Sequence, residues 1–477
     1  MVARLLPEGF EAIIGLEVHL HLRTETKMFC ACRADYFGSP PNTHTCPVCL
    51  GLPGSLPVPN KKAVEYGLAL ALALESEVPG RLVFHRKNYF YPDLPKNYQI
   101  TQYDLPIGRG GRLPLLGRDI RIKRLHLEED AGKSLHLEDR TLLDLNRAGS
   151  PLIELVTEPD LKTPEEARLF LQRIQALVQT LGLSEASPEE GKLRADVNVS
   201  VRRKGEALGT KVEIKNLNSF KSVQRALEYE IRRQVEILRR GERVKQATMA
   251  FDEGSGKTFP MRTKEEEADY RYFPEPDLPP VPIPKAWVEE VRRKLPELPW
   301  EKEARYLALG LKPKDAEVLA YTPSLAWFYD QALALGEASP QALANWLLAD
   351  LSGLLNDRGI SLEKTRITPS AFTRLVRLFE RGEITSRTAK DLLPELLLGE
   401  DPEKLVEERG LKAVTDEGAL ERVVQEVIQA MPEAAKSVQE GKLKAMDALV
   451  GQVMRKTQGQ AKPDLVRALL RKALGVG

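Results

Sequence analysis

Six of the eleven residues from Pro274 to Pro284 are proline, and this run constrains the fold more than any other part of the sequence. Because proline fixes φ and lacks an amide hydrogen, the run can form neither a helix interior nor a central strand. We therefore expect an extended connector that ends the first domain. Strand-like and helix-like patterns both precede the connector, whereas only helix-like patterns follow it.

The composition limits the class of protein. A chain of 477 residues with 42% hydrophobic residues has material for two to four domains with substantial cores. Its 70 Lys and Arg nearly balance its 69 Asp and Glu, so a nucleic acid would have to bind a local basic patch. No segment approaches the roughly 20 apolar residues of a membrane span, and no signal peptide is visible at the start. We expect no membrane association and a cytoplasmic location.

Four segments before the connector alternate between apolar and polar residues, with the period of a strand that buries one face. Strands of this kind are typical of an antiparallel sheet. In one of them the apolar positions change parity between Ile122 and Leu125, which predicts a β-bulge near Lys123 and Arg124. The four segments are Leu16–Arg23, Ile120–Glu128, Leu193–Arg202 and Lys211–Lys215.

Helices are predicted from capping residues followed by apolar positions at helical spacing. Asn60, Thr163 and Ser219 are the expected N-caps, and Pro164 suits a first helical position. After the connector, the chain is predicted to be helical throughout, with a last segment that begins near Gly410. We therefore predict an α+β fold: an antiparallel-sheet cradle domain with helices (1–284), an all-α helical domain (285–409) and a helical tail domain (410–477).

All four cysteines of the chain lie within twenty residues, as Cys30-Ala-Cys32 and Cys46-Pro-Val-Cys49. Two cysteine pairs joined by a turn-rich loop favour a tetrahedral zinc site. Two disulfides are an alternative that a cytoplasmic location disfavours. A redox pair at Cys46 and Cys49 is another, but it leaves the first two cysteines unexplained. His44 lies inside the loop and is expected to be a solvated side chain rather than a ligand.

Carboxylate, imidazole and amide side chains occupy the polar faces of the predicted strands. The adjacent carboxylates of Glu128–Asp130 repel one another unless a cation shares them, and oxygen ligands suit Mg²⁺. If the strands converge, a pocket for Mg²⁺ and phosphate results; otherwise these side chains form a solvated sheet face. The candidate residues are Glu17, His19, Glu128, Glu129, Asp196 and Asn198.

Two further segments resemble nucleotide-binding sequences. Arg86–Ile100 interleaves tyrosines with lysines, and it is either a buried strand with a turn or the lining of a pocket for a nucleotide or an RNA end. Gly254–Thr258 ends like a phosphate-binding loop, but Phe251 stands where that loop needs glycine and Pro260 bars the following helix. We therefore reject a phosphate-binding loop at this position.

Seven runs of the sequence are distinctive in combination, and together they closely resemble the B subunits of the aspartyl/glutamyl-tRNA(Asn/Gln) amidotransferases. The resemblance extends from about Glu11 to the C-terminus, where Gly441–Met446 and Val450–Met454 match the family's tail. The seven runs are Gly15–His19, Arg86–Asp93, Leu125–Lys133, Asp144–Arg147, Arg194–Val199, Lys215–Ser219 and Asp269–Pro274.

The resemblance implies a heterotrimer with two further members: an amidase, the A subunit, which frees ammonia from glutamine, and a small C subunit. The B subunits of the family use ATP to phosphorylate the side-chain carboxylate of misacylated Asp-tRNA(Asn) or Glu-tRNA(Gln), and ammonia then displaces the phosphate. The resemblance also allows a further partner, a non-discriminating aspartyl- or glutamyl-tRNA synthetase.

The resemblance also assigns roles to individual residues. The Mg²⁺ positions of the family match Glu17, His19, Glu128 and Glu129. Lys87 and Lys96 match a motif where a cation can meet phosphate or gate the path of ammonia. The neighbouring strands are matched by Asp196, Asn198, Glu213 and Lys215. The four cysteines occur in only some members, which implies a structural role for zinc.

A zinc-bearing RNA-binding module without catalysis is the alternative function. In its favour, Lys442–Lys472 carries eight Lys or Arg residues against only Asp447 and Asp464. Against it, a binding module has no use for an acidic cluster that repels RNA. An independent amidase or kinase has no support, since neither a nucleophile elbow nor a glycine-rich phosphate loop is found.

Overall fold

The computed structural model describes residues 6–217, 219–262, 269–414, 416–442 and 444–476. The chain folds into two compact units, Met1–Trp300 and Glu301–Gly477. The first combines a large mixed sheet with helices and the second is helical, so the predicted α+β class is confirmed. The helix that follows the proline-rich connector packs on the first unit.

The described residues of the first unit contain sixteen strands. They are β1 (Phe10–His21), β2 (Arg81–Leu82), β3 (His85–Asn88), β4 (Tyr98–Thr101), β5 (Gly108–Arg109), β6 (Arg112–Leu115), β7 (Arg118–Glu129), β8 (Lys133–His136), β9 (Thr141–Asp144), β10 (Pro151–Thr157), β11 (Leu193–Arg203), β12 (Val212–Leu217), β13 (Ala247–Asp252), β14 (Lys257–Arg262), β15 (Phe273–Pro274) and β16 (Val281–Pro282).

Nine of these strands form the main sheet, in the order β14-β13-β12-β11-β1-β10-β7-β5, with β6 also paired to β7. All of its pairs are antiparallel, as predicted, except the parallel pair of β12 and β13. The β-bulge is confirmed: Val156 pairs with Arg124 and Thr157 with Ile122, so Lys123 is skipped. Three small sheets, β15-β3-β4, β16-β2 and β8-β9, complete the unit.

Helices cover the apolar face of the main sheet. Three of them contact its strands, namely α1 (Lys61–Ala73), α2 (Pro164–Thr180) and α3 (Phe220–Arg239), and α4 (Lys285–Arg293) packs on α1. The three predicted N-caps are confirmed, because the side chains of Asn60, Thr163 and Ser219 each accept a hydrogen bond from a first-turn amide. Leu16 and Val18 of β1 are at most 1% exposed, so the alternate residues of this strand must face away from the helices.

The second unit is helical, as predicted. Its elements are α5 (Pro299–Ala308), α6 (Pro313–Ala320), α7 (Pro323–Ala334), α8 (Pro340–Asn345), a π-helix (Trp346–Leu351), α9 (Ser352–Arg358), a 3₁₀ helix (Leu362–Lys364), α10 (Pro369–Glu380), α11 (Ser386–Leu396), α12 (Pro402–Glu408), α13 (Glu417–Ala430), α14 (Pro432–Gln439), α15 (Lys444–Lys456) and α16 (Pro463–Leu474). Most of the prolines begin a helix, where a missing amide hydrogen costs no hydrogen bond.

Two hydrophobic clusters stabilise the second unit. One is formed by residues between Tyr306 and Val406, and the other by residues between Leu420 and Leu474. Within the described parts of the chain, no helix has the length and apolar character that crossing a bilayer requires.

Candidate active site

The polar face of the main sheet is built by pairing strands that are distant in the sequence. In the register of β1, β10 and β7, His19 lies opposite Glu154, and Glu154 lies opposite His126. On the other side of β1, Glu17 lies opposite Asp196 of β11. Strand pairing therefore gathers imidazole and carboxylate side chains on a face that the helices do not cover.

His19, Glu128 and Glu154, which we call the histidine cluster, could hold a metal ion. Their ligand atoms lie within 4.8 Å of one another, and His19 Nε2 is 3.7 Å from Glu128 Oε1. Burial, reinforced by the charge of Glu154, raises the pKa of Glu128 to about 8. Burial and the charge of Arg194 lower the pKa of His19 to about 4. A neutral imidazole is the form that binds metals, and a cation would restore the Glu128 carboxylate.

Glu17, Asp196 and Glu213 form a second group, which we call the aspartate cluster, with ligand atoms again within 4.8 Å of one another. Asn198 Nδ2 donates to Glu17 Oε1 at 3.2 Å. Lys215 Nζ lies 3.5 Å from Asp196 Oδ2 and 3.4 Å from Glu213 Oε1. Burial lowers the pKa of Lys215, but the two carboxylates outweigh it and leave that pKa raised. Lysine thus already supplies one positive charge to this cluster.

A cavity of about 430 Å³ opens on both clusters. Lys87 is among its lining residues, and its Nζ lies 4.6 Å from the centroid of the Tyr270 ring. Burial lowers the pKa of Lys87, but the charges of Glu128 and Glu154 leave it raised, so the side chain stays an ammonium. The lining residues are Glu17, Lys87, Thr101, Tyr103, Arg124, His126, Glu128, Glu154, Lys211, Glu213, Lys215, Gln246, Ala247, Thr248, Tyr270 and Tyr272.

Comparison with known proteins identifies the family of this chain. Residues 12–289 match the family model described as GatB/GatE catalytic domain, and residues 328–474 match the one described as GatB domain. The B subunit of the aspartyl/glutamyl-tRNA(Asn/Gln) amidotransferase of Thermus thermophilus is 82% identical over 98% of this chain and 100% of its own length. The chain belongs to this B-subunit family. Similarly named proteins of Deinococcus radiodurans and Persephonella marina are 52% and 49% identical, again over 98% of the chain.

The family match confirms the resemblance inferred from the seven sequence runs, and it locates both clusters within the GatB/GatE catalytic domain. Of the residues that the resemblance implied, the structure brings seven to the two clusters or their immediate neighbours, and Lys87 lines the same cavity. The seven are Glu17, His19, Glu128, Asp196, Asn198, Glu213 and Lys215.

Glu129 and Lys96 are not brought to the cavity. Because consecutive strand residues point to opposite faces, Glu129 turns away from the histidine cluster that Glu128 joins. The Glu129 carboxylate pairs with the ammonium of Lys96 and also accepts a hydrogen bond from the amide of Ile100 at 3.1 Å. Both side chains of the ion pair are at most 9% exposed, so this member of the B-subunit family holds the pair inside the protein, on the other side of β7.

Several lining residues were missed by reading the sequence. Glu154 is the one charged residue of β10, whose sequence is otherwise apolar apart from a terminal threonine. A lone carboxylate in such a strand is a signal of function, since burying it without a partner is costly. His126 and Arg124 lie on the predicted strand β7, but nothing local distinguishes them from solvated side chains. Burial, then the charge of Arg124, lowers the pKa of His126 to about 3.

The four cysteines converge as predicted, and the group could hold a metal ion such as zinc. Their sulfur atoms lie within 4.8 Å of one another, and all four are free thiols. Lys27 is fully buried and points its Nζ at Cys49 Sγ, 3.6 Å away. A hydrogen bond from Cys30 and the charge of Lys27, opposed by burial, lower the pKa of Cys49 to about 4. A thiolate is the form that binds zinc.

The remaining two sequence motifs have structural explanations. Gly254–Thr258 lies at the hairpin between β13 and β14, and the strand β14 stands where a phosphate-binding loop needs a helix, so the rejection of such a loop is confirmed. Arg86–Ile100 forms parts of β3 and β4 with a turn between them. The same segment supplies Lys87 to the cavity, so the two alternatives that the sequence left open are compatible.

Proposed function

We propose that this chain uses ATP to phosphorylate the side-chain carboxylate of misacylated Asp-tRNA(Asn), Glu-tRNA(Gln) or both, and then amidates it with ammonia. A carboxylate is a poor electrophile, and phosphorylation supplies the leaving group that ammonia can displace. The observation that carries the proposal is one cavity, in a member of this family, that combines two carboxylate clusters with Lys87. The names of the relatives, which are aspartyl/glutamyl-tRNA(Asn/Gln) amidotransferase subunits, support the tRNA substrates.

The histidine cluster is the proposed Mg²⁺ site. Its donor set fits the ion, because a neutral imidazole faces a buried carboxylate whose pKa stays raised even though the charge of Lys87 lowers it. Glu17 of the aspartate cluster lines the same cavity and adds a second group of oxygen donors. Bound Mg²⁺ would neutralise charge on the transferring phosphoryl group.

The lysines of the cavity are proposed to bind phosphate oxygens. Lys87 is held between the carboxylates of the histidine cluster and the Tyr270 ring, so its ammonium is fixed before a nucleotide enters. Lys211 and Lys215 add two more positive charges to the lining. The carboxylate of Glu213, which lines the cavity, can accept the proton that ammonia releases when it becomes an amide.

The ammonia is proposed to come from glutamine, hydrolysed on an amidase subunit that the small third subunit holds to this chain. The test measures amide formation on purified misacylated tRNA, with ATP, Mg²⁺ and glutamine, in the assembled heterotrimer. We expect the amide to form only with ATP, and ammonium chloride to replace glutamine when the amidase is omitted. Amide formation without ATP would contradict the proposal.

Zinc is proposed to be structural. We expect one zinc per chain by elemental analysis, and Cys46→Ser should lower the thermal midpoint more than it changes the rate of amidation with ammonium chloride. His44→Ala is the matched control. His44 Nδ1 lies 3.3 Å from Arg33 O, and the ring is not part of the cysteine group, so the variant should keep the zinc content of the wild type. An anaerobically purified protein without zinc would refute the assignment.

The tail domain (410–477) is proposed to bind the body of the tRNA. Met446, Leu449 and Val453 are buried, so the basic residues of α15 and α16 face outward. Three of the six basic residues of these helices are paired with carboxylates: Lys456 with Glu426, Arg467 with Asp447 and Lys472 with Glu421. The paired residues have part of their charge neutralised already, which leaves the others as the stronger phosphate ligands.

Replacing both Arg455 and Arg471 by alanine should therefore weaken tRNA binding and flatten its dependence on salt by about two units of slope. Both are exposed, and neither forms an ion pair within the described residues. The paired Lys456→Ala is the control and should change the slope less. Affinity measured between low and moderate salt checks the prediction, and an unchanged slope in the double variant would exclude these contacts.

A further inference from the structure

One side of the cavity is aromatic rather than charged. Tyr103 and Tyr272 stack with their ring centroids 4.4 Å apart and their planes at 10°. Tyr270 stands at 70° to Tyr272, with the centroids 6.0 Å apart. All three line the cavity, and we call them the tyrosine wall. Tyr103 remains 55% exposed even though its ring also contacts the His85 ring, with the centroids 5.9 Å apart.

Buried polar atoms without partners lie on the same cavity. His126 Nε2 and Arg124 Nε find no hydrogen-bond partner among the described residues. His126 is only 8% exposed, so its nitrogen is removed from bulk water, and leaving a buried polar atom unpaired costs free energy. A ligand with hydrogen-bonding groups would remove that cost.

Lys87 connects this aromatic side to the charged side of the cavity. Its ammonium lies against the Tyr270 ring, whereas Glu128 and Glu154 line the same cavity and could hold a cation with His19. A ligand that has an aromatic ring at one end and phosphate at the other would therefore match both sides. A cavity of about 430 Å³ lies within the usual range for a small-molecule site.

We propose that the tyrosine wall, together with His126 and Arg124, binds the base of an adenosine by stacking on Tyr103. The inference rests on the proposed function, which brings adenosine to this cavity in two forms: ATP and the 3′-terminal adenosine of the tRNA. Both present the same purine ring, with a π-face for stacking and polar edges for the unpaired nitrogens. The phosphates of either form then lie toward Lys87.

The test compares Tyr103→Ala, Tyr103→Leu and Tyr103→Phe in the assembled heterotrimer. Calorimetry measures the affinity for ATP with Mg²⁺, and a filter assay measures binding of deacylated tRNA with and without its terminal adenosine. Base stacking on an aromatic side chain predicts a loss of about 5- to 150-fold for Tyr103→Ala and Tyr103→Leu. Tyr103→Phe keeps the ring and should bind like the wild type. Tyr91→Ala removes an exposed tyrosine outside the cavity and is the matched control.

The two sources of adenosine give different results. If ATP is the ligand, Tyr103→Ala lowers the affinity for ATP and leaves the affinity for tRNA unchanged. If the tRNA end is the ligand, the same variant abolishes the affinity difference between tRNA with and without the terminal adenosine. Tyr103→Leu preserves apolar packing, so an equal loss of binding in both variants at an unchanged thermal midpoint excludes a folding defect as the cause.

Wild-type affinities for both ligands in Tyr103→Ala and Tyr103→Leu would overturn the inference, because the Tyr103 ring would then make no contact with an adenosine base. The wild type is assayed for ATP-dependent amide formation in parallel. Failure of that reaction contradicts the proposed function, whereas unchanged adenosine binding in an active enzyme contradicts the tyrosine wall alone.

Discussion

Changing Glu128 to glutamine in the assembled heterotrimer should lower the rate of amide formation by about 10²–10⁴-fold while glutamine hydrolysis continues. The substitution keeps the size of the side chain but removes a charged oxygen ligand from the histidine cluster. His19→Ala and Glu17→Ala should act in the same direction. The hydrophobic core is spared, because Glu17 and His19 face away from the helices that cover the other side of the sheet.

The exposed Glu138, which lies in the turn between β8 and β9, provides the matched control for this prediction. Glu138→Gln changes the same functional group outside the cavity and should leave both activities at wild-type values. Rates are measured at saturating ATP and Mg²⁺, so a weakened metal affinity can be separated from a lost chemical step by raising the Mg²⁺ concentration. Near-wild-type amidation by Glu128→Gln, His19→Ala and Glu17→Ala together would contradict the proposed Mg²⁺ pocket.

Asp130→Asn should be the most destabilising single substitution among the polar residues around the site. Asp130 is 6% exposed, and its Oδ2 lies 2.7 Å from both His21 Nε2 and Arg194 Nη2 and 3.4 Å from Arg147 Nε. Removing its charge leaves two arginines without their shared carboxylate. We expect the free energy of unfolding to fall by about 3–5 kcal/mol, as when one partner of a buried ion pair is removed.

The effect of Asp130→Asn should depend on pH. Burial opposes ionisation, but Arg194 and Arg147 outweigh it and hold the pKa of Asp130 well below its ordinary value of 3.8. A lowered pKa in the folded state means that the carboxylate stabilises the fold fully above that ordinary value. The contribution is lost as the pH falls toward the folded-state pKa, so the variant and the wild type should converge in acid.

Urea unfolding followed by circular dichroism at pH 7 and at pH 3 measures the fall in the free energy of unfolding and the direction of its dependence on pH. Asp139→Asn is the control, because the Asp139 side chain is 78% exposed and its pairing with Arg140 is worth little. For Asp139→Asn we expect the free energy of unfolding to change by less than about 0.5 kcal/mol. Equal unfolding midpoints for Asp130→Asn and the wild type at pH 7 would show that the network does not stabilise the fold.

Local structure was largely predictable from the sequence because its causes are local. The side chains of Asn60, Thr163 and Ser219 cap helices by accepting hydrogen bonds from amides of the following turn. The parity change around Lys123 required a bulge whatever the partner strand. Alternation also placed Glu17 and His19 on the polar face. In each case, residues a few positions apart decide the conformation.

The two adjacent glutamates of β7 show where the resemblance and the strand pattern disagree. The resemblance implied Mg²⁺ roles for both Glu128 and Glu129, yet neighbours on one strand point to opposite faces. The structure follows this rule: Glu128 joins the histidine cluster, and Glu129 pairs with Lys96 inside the protein. The Mg²⁺ role of Glu129 is therefore not supported by the position of its side chain.

By itself, the sequence determined the α+β class, three helix caps, the polar faces of four strands and the grouping of the four cysteines. Only the tertiary structure decided that β10 lies between β1 and β7, which puts Glu154 beside His19. It also decided that the tyrosine wall borders the same cavity as the carboxylates. Capping and alternation depend on neighbouring residues, whereas strand order depends on the burial of the whole apolar face, to which residues far apart in the sequence contribute together.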